Sequence, residues 1–243
     1  MTKNVPFLMF KEHNSLEYGL FIASKGTYNG AERDVTRQSV PGRSGDLITD
    51  NGRYKNVDIP YSLTLLNDTE RSFTVLTRQI KAWLLAESGY FELWDSYDPE
   101  YFRLASYKGG VNIEQELRDL GSLSITFDCK PYKYSFEGKK PVVFTAAGSL
   151  YNSEPFSSAP YIKVVGNGSI TLNINDSSFT LKSVDGYIEL DFELPNAYKD
   201  IEPKNNLVSG ANMSSFRLTP GYNAISWTGA VERVEITPRW CCL

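Results

Sequence analysis

The stretch Val40–Leu65, VPGRSGDLITDNGRYKNVDIPYSLTL, decides how this chain is expected to fold. Within it, Asp50-Asn51-Gly52 predicts a hairpin turn, because type I′ turns need residues that accept positive φ. Beyond this turn the apolar side chains recur at every second position, at Val57, Ile59, Tyr61, Leu63 and Leu65. This period is that of a β-strand with one buried face. The segment therefore predicts an exposed hairpin, built to reach a neighbouring surface, that runs into a core strand.

The composition of the 243-residue chain is that of an ordinary globular protein, with 41% hydrophobic and 22% charged residues. Aromatic residues reach 13%, which favours β-structure. The net charge of −4 argues against nucleic-acid binding, which needs a basic face. No apolar run approaches the roughly 18 to 20 residues that span a bilayer. The N-terminus lacks the pattern of a signal peptide, so we expect folding in a cytoplasm and no membrane association.

Catalytic and metal-binding groups are sparse in this sequence. His13 is the one histidine, and a solitary loop histidine lacks the partners that catalysis requires. The acidic stretch DSYDPE (95–100) lacks the central glycine of an EF-hand loop and is interpreted as a turn. The stretch GRSGD (42–46) lacks the Lys-Ser/Thr ending of a phosphate-binding loop. We therefore predict no catalytic, cofactor or metal site, and no enzyme.

The three cysteines agree with this interpretation. Cys129 alternates with apolar residues in SLSITFDC, which predicts a small buried side chain. Cys241 and Cys242 are adjacent, so they are poorly placed to pair with each other. A disulfide from Cys129 to either of them is not expected in a reducing compartment. No CxxC motif is present to supply a structural zinc site.

A convincing helical pattern follows the first core strand. Asn67 and Glu70 have the spacing of a capping box, and Gly89 is placed to end the helix in the left-handed conformation. The helix stripe consists of Phe73, Leu76, Ile80, Trp83 and Leu84. Such a stripe is typical of a helix packed on a sheet. The surrounding pattern predicts strands before and after this helix.

A domain boundary is predicted near residue 135, because FEGKKP (136–141) combines glycine, proline and charge. We expect domains at 1–135 and 136–243. The second half shows no helical period and predicts seven short strands at 161–165, 169–174, 178–183, 187–192, 216–219, 224–227 and 231–238. Strands at this spacing are typical of a β-sandwich. The stretch 194–213 is expected to be an irregular surface loop.

Several blocks, in order, resemble the phage distal tail protein family. The first is GRSGDLITDNGRYKNVDI (42–59), followed by KAWL (81–84) and PEYFRLA (99–105). The strand ITFDCKPY (125–132) is similar to the close of the family's N-terminal domain. GNGSI (166–170), PGYNAI (220–225) and ITPRW (236–240) continue the resemblance. Each block is weak alone, and their order over nearly the whole chain is specific.

This resemblance implies a structural hub of a long, non-contractile phage tail. The implied fold is mainly β, with an N-terminal β-sandwich or split-barrel-like domain carrying one α-helix and an extended hairpin. A C-terminal galectin-like or carbohydrate-module-like β-sandwich is implied to follow. The N-terminal domains are implied to form a homohexameric ring at the distal end of the tail tube. The implied partners are the tube protein, the tape-measure protein, and a tail fibre, tail-associated lysin or receptor-binding protein.

The hairpin segment is the expected site of contact between ring subunits. Our hypothesis assigns this contact to 40–66, with charged side chains fixing its register and a glycine shaping its turn. The residues in question are Arg43, Asp46, Gly52, Arg53 and Asp58. The virion tail, assembled in the host cytoplasm, is the expected location. The alternative is a monomeric, non-catalytic glycan-binding sandwich that aids host attachment, although a host saccharide is not the favoured ligand.

Overall fold

A computed structural model describes residues 5–27, 30–66, 72–110 and 112–243. The chain folds as two compact units, residues 1–133 together with Leu243, and residues 134–242. Strands predominate in both units, which confirms the predicted mainly β fold. No helix within the described ranges is long and apolar enough to cross a membrane.

The first unit is built around one antiparallel sheet. Its elements are β1 (Leu8–Phe10), β2 (His13–Asn14), a 3-10 turn (Ser15–Tyr18), β3 (Leu20–Lys25), β4 (Arg33–Gln38), β5 (Leu47–Tyr54), β6 (Val57–Leu65), α1 (Phe73–Leu85), β7 (Phe91–Asp95), β8 (Tyr101–Tyr107), α2 (Ile113–Leu120) and β9 (Ser122–Ser135). The sheet has the strand order β2-β1-β7-β8-β9-β6-β3. Strands β4 and β5 pair only with each other, within the described residues, as a separate two-stranded sheet.

The alternation of apolar side chains beyond Asn56 produces the core strand β6. Val57, Ile59, Tyr61 and Leu63 are all buried, which confirms the predicted period of two. Strand β6 lies between β9 and β3, so both of its edges are paired. A strand in this position cannot take part in an exposed arm, so the arm ends before Val57.

Helix α1 covers the same core with the predicted stripe. Leu76, Ile80, Trp83 and Leu84 are buried, and the indole Nε1 of Trp83 donates to the carbonyl oxygen of Phe10 at 2.8 Å. This hydrogen bond satisfies the polar end of a buried aromatic side chain. The hydrogen bond therefore links helix α1 to strand β1, in addition to the packing contacts of the helix.

The predicted ends of this helix need correction. The helix begins at Phe73 after Ser72, and the proposed caps Asn67 and Glu70 lie outside the described residues. It ends at Leu85, and the cap residue Ala86 keeps the right-handed conformation. Gly89 is therefore not the helix cap. The prediction failed because a glycine shortly beyond an apolar stripe does not by itself fix where the hydrogen bonds stop.

A second helix, α2, has no counterpart among the sequence predictions. Its Asn112 side chain accepts from the backbone N–H of Gln115 at 3.2 Å, and Gly121 closes it with φ +63°. Ile113 and Leu117 are its buried residues. Two buried positions four residues apart make too short a pattern to stand out, although Asn112 and Gly121 were available as end signals.

The second unit is a β-sandwich of antiparallel strands. Its elements are a 3-10 turn (Glu137–Lys139), β10 (Val142–Phe144), β11 (Gly148–Asn152), β12 (Tyr161–Ile174), β13 (Ser177–Val184), β14 (Tyr187–Asp191), β15 (Asn196–Lys199), β16 (Glu202–Pro203), a 3-10 turn (Asn205–Leu207), β17 (Val208–Gly210), β18 (Gly221–Thr237) and β19 (Cys241–Cys242). The main path is β10-β18-β12-β14-β15-β16. Strand β11 joins β18, while β13 joins β12 and carries β17.

Two pairs of predicted short strands are in fact single long strands. The stretches 161–165 and 169–174 are both parts of β12, and 224–227 and 231–238 both fall largely in β18. Register shifts beside Gly166 interrupt the pairing of β12 with β18 without ending either strand. A Cβ atom at Gly166 would lie 2.3 Å from the carbonyl oxygen of Ala230, so the glycine permits a close backbone approach. The glycines here mark a bulge within β12 and not a break between two strands.

Candidate assembly surface on the hairpin arm

The hairpin arm, Arg33–Tyr54, consists of β4, β5 and the turn between them. Thr36 pairs with Thr49 and Gln38 pairs with Leu47, so the connecting turn spans residues 39–46. Its glycines, Gly42 and Gly45, have φ of +78° and +87°. The extended hairpin predicted for this unit is therefore present, and its turn is the GRSGD region.

The predicted turn at Asp50-Asn51-Gly52 is wrong, because these residues lie inside strand β5. Arg33 pairs with Tyr54 and Val35 pairs with Asp50, so three residues of β5 stand opposite one residue of β4. Gly52 has φ +76°, and its backbone N–H donates to Oδ1 of Asp50 at 2.8 Å. A bulge needs the same positive φ as a hairpin turn, so the local sequence signal is the same for both.

Two ion pairs join the strands at this bulge. Nη2 of Arg33 lies 2.6 Å from Oδ2 of Asp50, and its Nε donates to the same carboxylate at 3.0 Å. Nε of Arg53 lies 2.7 Å from Oδ2 of Asp34. The hydrogen bonds from Arg33 and Arg53 hold the pKa values of Asp50 and Asp34, respectively, below their usual range. These exposed pairs add little stability, but their complementary placement favours one register of the hairpin.

The outer part of the arm has no cover. Every residue from 36 to 53 is exposed. Leu47 and Ile48 are 46% and 53% exposed, and Val40 lies close by in the turn. A two-stranded hairpin is marginal in water by itself, and exposed aliphatic side chains add a cost. Such an arm has the properties of a segment that becomes ordered against another surface.

The five residues of the interface hypothesis fall at three places. Arg43 and Asp46 lie in the turn at the tip, and neither forms an ion pair with any residue that the structure describes. Gly52 and Arg53 lie together at the bulge. Asp58 is separate from both places, since it belongs to the core strand β6.

Asp58 is instead held by its own sheet. It stands opposite Asp128 of β9, and Nζ of Lys108 lies 2.6 Å from its Oδ2. Asp58 also lines a groove of about 580 Å³ at the base of the arm, together with Glu32 and Lys55. Its ion pair with Lys108 offsets the repulsion between the two facing carboxylates, so a local role is already evident.

Most of the charged residues that organise the bulge are not among the five named residues of the interface hypothesis. Arg33, Asp34 and Asp50 complete the two ion pairs, and of the four charged partners only Arg53 belongs to the predicted set. The signal that could have found them is the alternation of opposite charges in RDVTR (33–37) and DNGR (50–53). Because the bulge shifts the register, however, spacing alone cannot assign the pairs.

The groups considered for chemistry elsewhere in this unit have structural partners. Nδ1 of His13 lies 3.0 Å from Oε2 of Glu17 on the surface. The buried Asp95 accepts from Nζ of Lys25 at 2.7 Å and from the hydroxyl of Tyr61 at 2.6 Å. Across the described ranges, no group of three or more His, Cys, Asp or Glu residues is arranged to hold a metal ion.

Comparison with known proteins places this architecture in a class. Residues 16–129 match the family model described as the phage tail protein RIFT-related domain. The chain is similar to the crystal structure of SPP1 Dit (gp 19.1), described as a paradigm of the hub adsorption apparatus in phages that infect Gram-positive bacteria. The identity is 15% over 96% of this chain and 98% of that chain, with a TM-score of 0.68. No curated protein matches the chain.

A protein whose first unit carries this domain is a structural component of a phage tail. Residues 16–129 thus match a phage tail domain, and the whole chain has a fold similar to that of a phage hub protein, in agreement with the resemblance noted in its sequence.

Proposed function

We propose that this chain is a non-enzymatic hub subunit that forms a homohexameric ring at the distal end of the tail tube. The ring joins the tube to the adsorption apparatus at the tail tip. Its neighbours are the tube protein, the tape-measure protein, and a tail fibre, tail-associated lysin or receptor-binding protein. The ring is assembled in the cytoplasm of the host and resides in the virion. The observation that carries this proposal is the uncovered hairpin arm on a phage tail domain.

The arm suits a head-to-tail contact between neighbouring copies. In a cyclic ring each subunit presents one surface and receives a different one, and the contact closes by rotation. Within the described part of the chain, β4 and β5 pair only with each other, so the outer edge of each strand is unpaired. Unpaired edges can continue a sheet across a subunit boundary. Side chains of the neighbouring subunits would then pack over Leu47 and Ile48, which project to opposite faces of the ribbon.

The five residues of the interface hypothesis then have different roles in this contact. Arg43 and Asp46, at the tip, are available to pair with the neighbouring subunit and to guide its approach. Gly52 and Arg53 lie at the bulge, where the pairing of the arm's two strands changes register. Asp58 lies at the arm's base, where it lines the groove that a neighbouring segment would enter.

Size-exclusion chromatography with light scattering tests the proposal. The wild-type chain should elute as a ring of six chains of 27.4 kDa each. Each half-exposed aliphatic side chain contributes about 1 kcal/mol when it is covered, so Leu47→Ser with Ile48→Ser should weaken each interface about thirtyfold. The matched control is Val143→Ser with Leu194→Ser, which alters two exposed aliphatic side chains of the second unit.

The results separate two failures. A wild-type chain that remains monomeric at high concentration contradicts the ring itself. If the ring is weakened equally in the arm variant and in the control, the role of the arm is contradicted but the existence of the ring is not.

A further inference from the structure

The groove at the base of the arm, which we call the base groove, has a carboxylate with only uncharged hydrogen-bond donors at its margin. Asp128 of β9 accepts from Nδ2 of Asn56 at 2.9 Å and from the hydroxyl of Tyr90 at 3.3 Å. Asn56 and Asp58 both line the groove, and Asp58 stands directly opposite Asp128. Of these two facing carboxylates, Asp58 is the one paired with Lys108, at 2.6 Å. Asp128 can therefore accept a further, positively charged donor.

The other cations around the base groove are placed elsewhere. Nζ of Lys55 lies 3.4 Å from Oε2 of Glu32. Lys130 projects to the same side of β9 as Asp128, but its Nζ lies over the ring of Tyr90, 5.5 Å from the centroid. Asp128 thus forms no ion pair with any residue that the structure describes.

The tip of the arm, residues 39–46, offers the complementary charge. Arg43 lies in the middle of the turn, and its backbone N–H donates to the carbonyl oxygen of Val40 at 3.1 Å. With the nearby Arg37 and Asp46, it gives the end of the arm a net charge of +1, and all three side chains are exposed. None of the three has an ion-pair partner among the described residues. The planar guanidinium of an arginine matches the two oxygens of a carboxylate better than any other side chain does.

The length of the arm places its tip beyond the reach of its own base groove. The strand from Arg33 to Gln38 extends about 17 Å, and the turn carries the tip to about 25–30 Å from the base. A unit of about 130 residues is about 35 Å across. Corresponding points on adjacent subunits are separated by about this distance, so the arm with the long Arg43 side chain spans one subunit.

We propose that the tip of each arm enters the base groove of the next subunit, where the guanidinium of Arg43 pairs with the carboxylate of Asp128. This inference rests on the proposed ring and names the surface that receives the arm. The hydrogen bonds from Asn56 and Tyr90 hold the carboxylate in position for the incoming arginine. Tip and groove are different surfaces of the same chain, so the contact repeats head to tail around a ring.

Charge reversal at either end of this pair is the first test. Arg43→Asp and Asp128→Arg each bring like charges together, and each should raise the interface Kd about tenfold in a light-scattering dilution series. Asp128→Asn keeps the shape of the side chain and should raise the Kd about threefold. The matched control is Arg37→Asp, which makes the same charge change on the strand of the same arm and should leave the Kd near its wild-type value.

A mixture of two variants tests whether the pair joins different chains. Chains with Arg43→Asp alone and chains with Asp128→Arg alone should each assemble poorly. An equimolar mixture should recover the ring, because every interface of an alternating ring joins either the two native residues or the two reversed ones. A single chain that carries both substitutions should also recover it.

The outcomes separate this inference from the ring itself. A wild-type chain that stays monomeric contradicts the ring. A wild-type ring that neither reversal weakens, that Arg37→Asp weakens equally, or that the mixture fails to recover overturns the contact between tip and groove. If thermal unfolding shows that Asp128→Arg does not fold, a double-mutant cycle of Arg43→Asp with Asp128→Asn decides instead. Fully additive effects in that cycle overturn the pairing, whereas a smaller cost for the second substitution supports it.

Discussion

Replacing Gly52 with valine should disable the hairpin arm while leaving the two folded units intact. Gly52 has φ +76°, and a Cβ atom added to it would have no neighbouring atom within 4 Å, so steric space is not the difficulty. The cost is the backbone conformation itself, about 1–2 kcal/mol for an L-residue held in the left-handed region. Because the arm is exposed and paired only with itself in the described structure, this strain exceeds what a marginal ribbon can absorb.

The strain should appear as a weaker ring. If the bulge must be restored before a neighbour can dock, about 1–2 kcal/mol is lost at each interface, or about five- to thirtyfold in the interface Kd. Light scattering at a series of dilutions measures this change. Hydrogen exchange should also become faster for backbone amides of residues 33–54, while the core strand β6 keeps its protection.

Two control variants make this test specific. Gly52→Asn should retain the ring, because asparagine tolerates the left-handed conformation. Gly30→Val places the same side chain at an exposed glycine that has open space and no positive φ. The reasoning would be refuted if Gly52→Val left both the hydrogen-exchange rates of residues 33–54 and the interface Kd at their wild-type values. It would also be refuted if Gly30→Val weakened the ring equally.

Three further predictions concern stability and reactivity. Gly166→Ala should lower the free energy of unfolding by about 1–3 kcal/mol in denaturant titrations, because its Cβ would lie 2.3 Å from the carbonyl oxygen of Ala230. Burial alone would raise the pKa of Asp191, but Arg239, with Nη1 2.8 Å from Oδ1, holds it below the usual value. The resulting stability is present above about pH 4 and lost as the pH falls through the lowered pKa, so Asp191→Asn should flatten the acid limb of the unfolding curve. Burial raises the pKa of the Cys129 thiol to about 12, so this thiol should resist DTNB until the protein is unfolded.

The core strand and the main helix could be predicted because their signals are local. The alternation from Val57 to Leu63 has the period of a strand, and a single buried face is enough to determine which of its side chains point into the core. The apolar stripe from Leu76 to Leu84 likewise indicates which side of helix α1 packs against the core. In both cases the residues that carry the pattern are those that make the contacts, so no knowledge of distant partners is needed.

The outward surface of the second unit's sheet could not be predicted in the same way. Its residues come from four strands, and only the pairing brings Tyr151 beside Tyr222 and Asn173 beside Ser226. In the sequence each is an ordinary polar or aromatic residue of a strand.

The segment Val40–Leu65 shows where the limit lies between sequence and tertiary structure. Its sequence by itself determined that a glycine-bearing hairpin precedes a half-buried strand. Only the pairing of β4 with β5 decided that 39–46 is the turn and that Asn51-Gly52 is a bulge. The physical reason is that both structures need the same positive φ, so the choice depends on which residues of the opposite strand are bonded. The same pairing placed Asp50 against Arg33, and it separated Asp58 from the arm to which the sequence had assigned it.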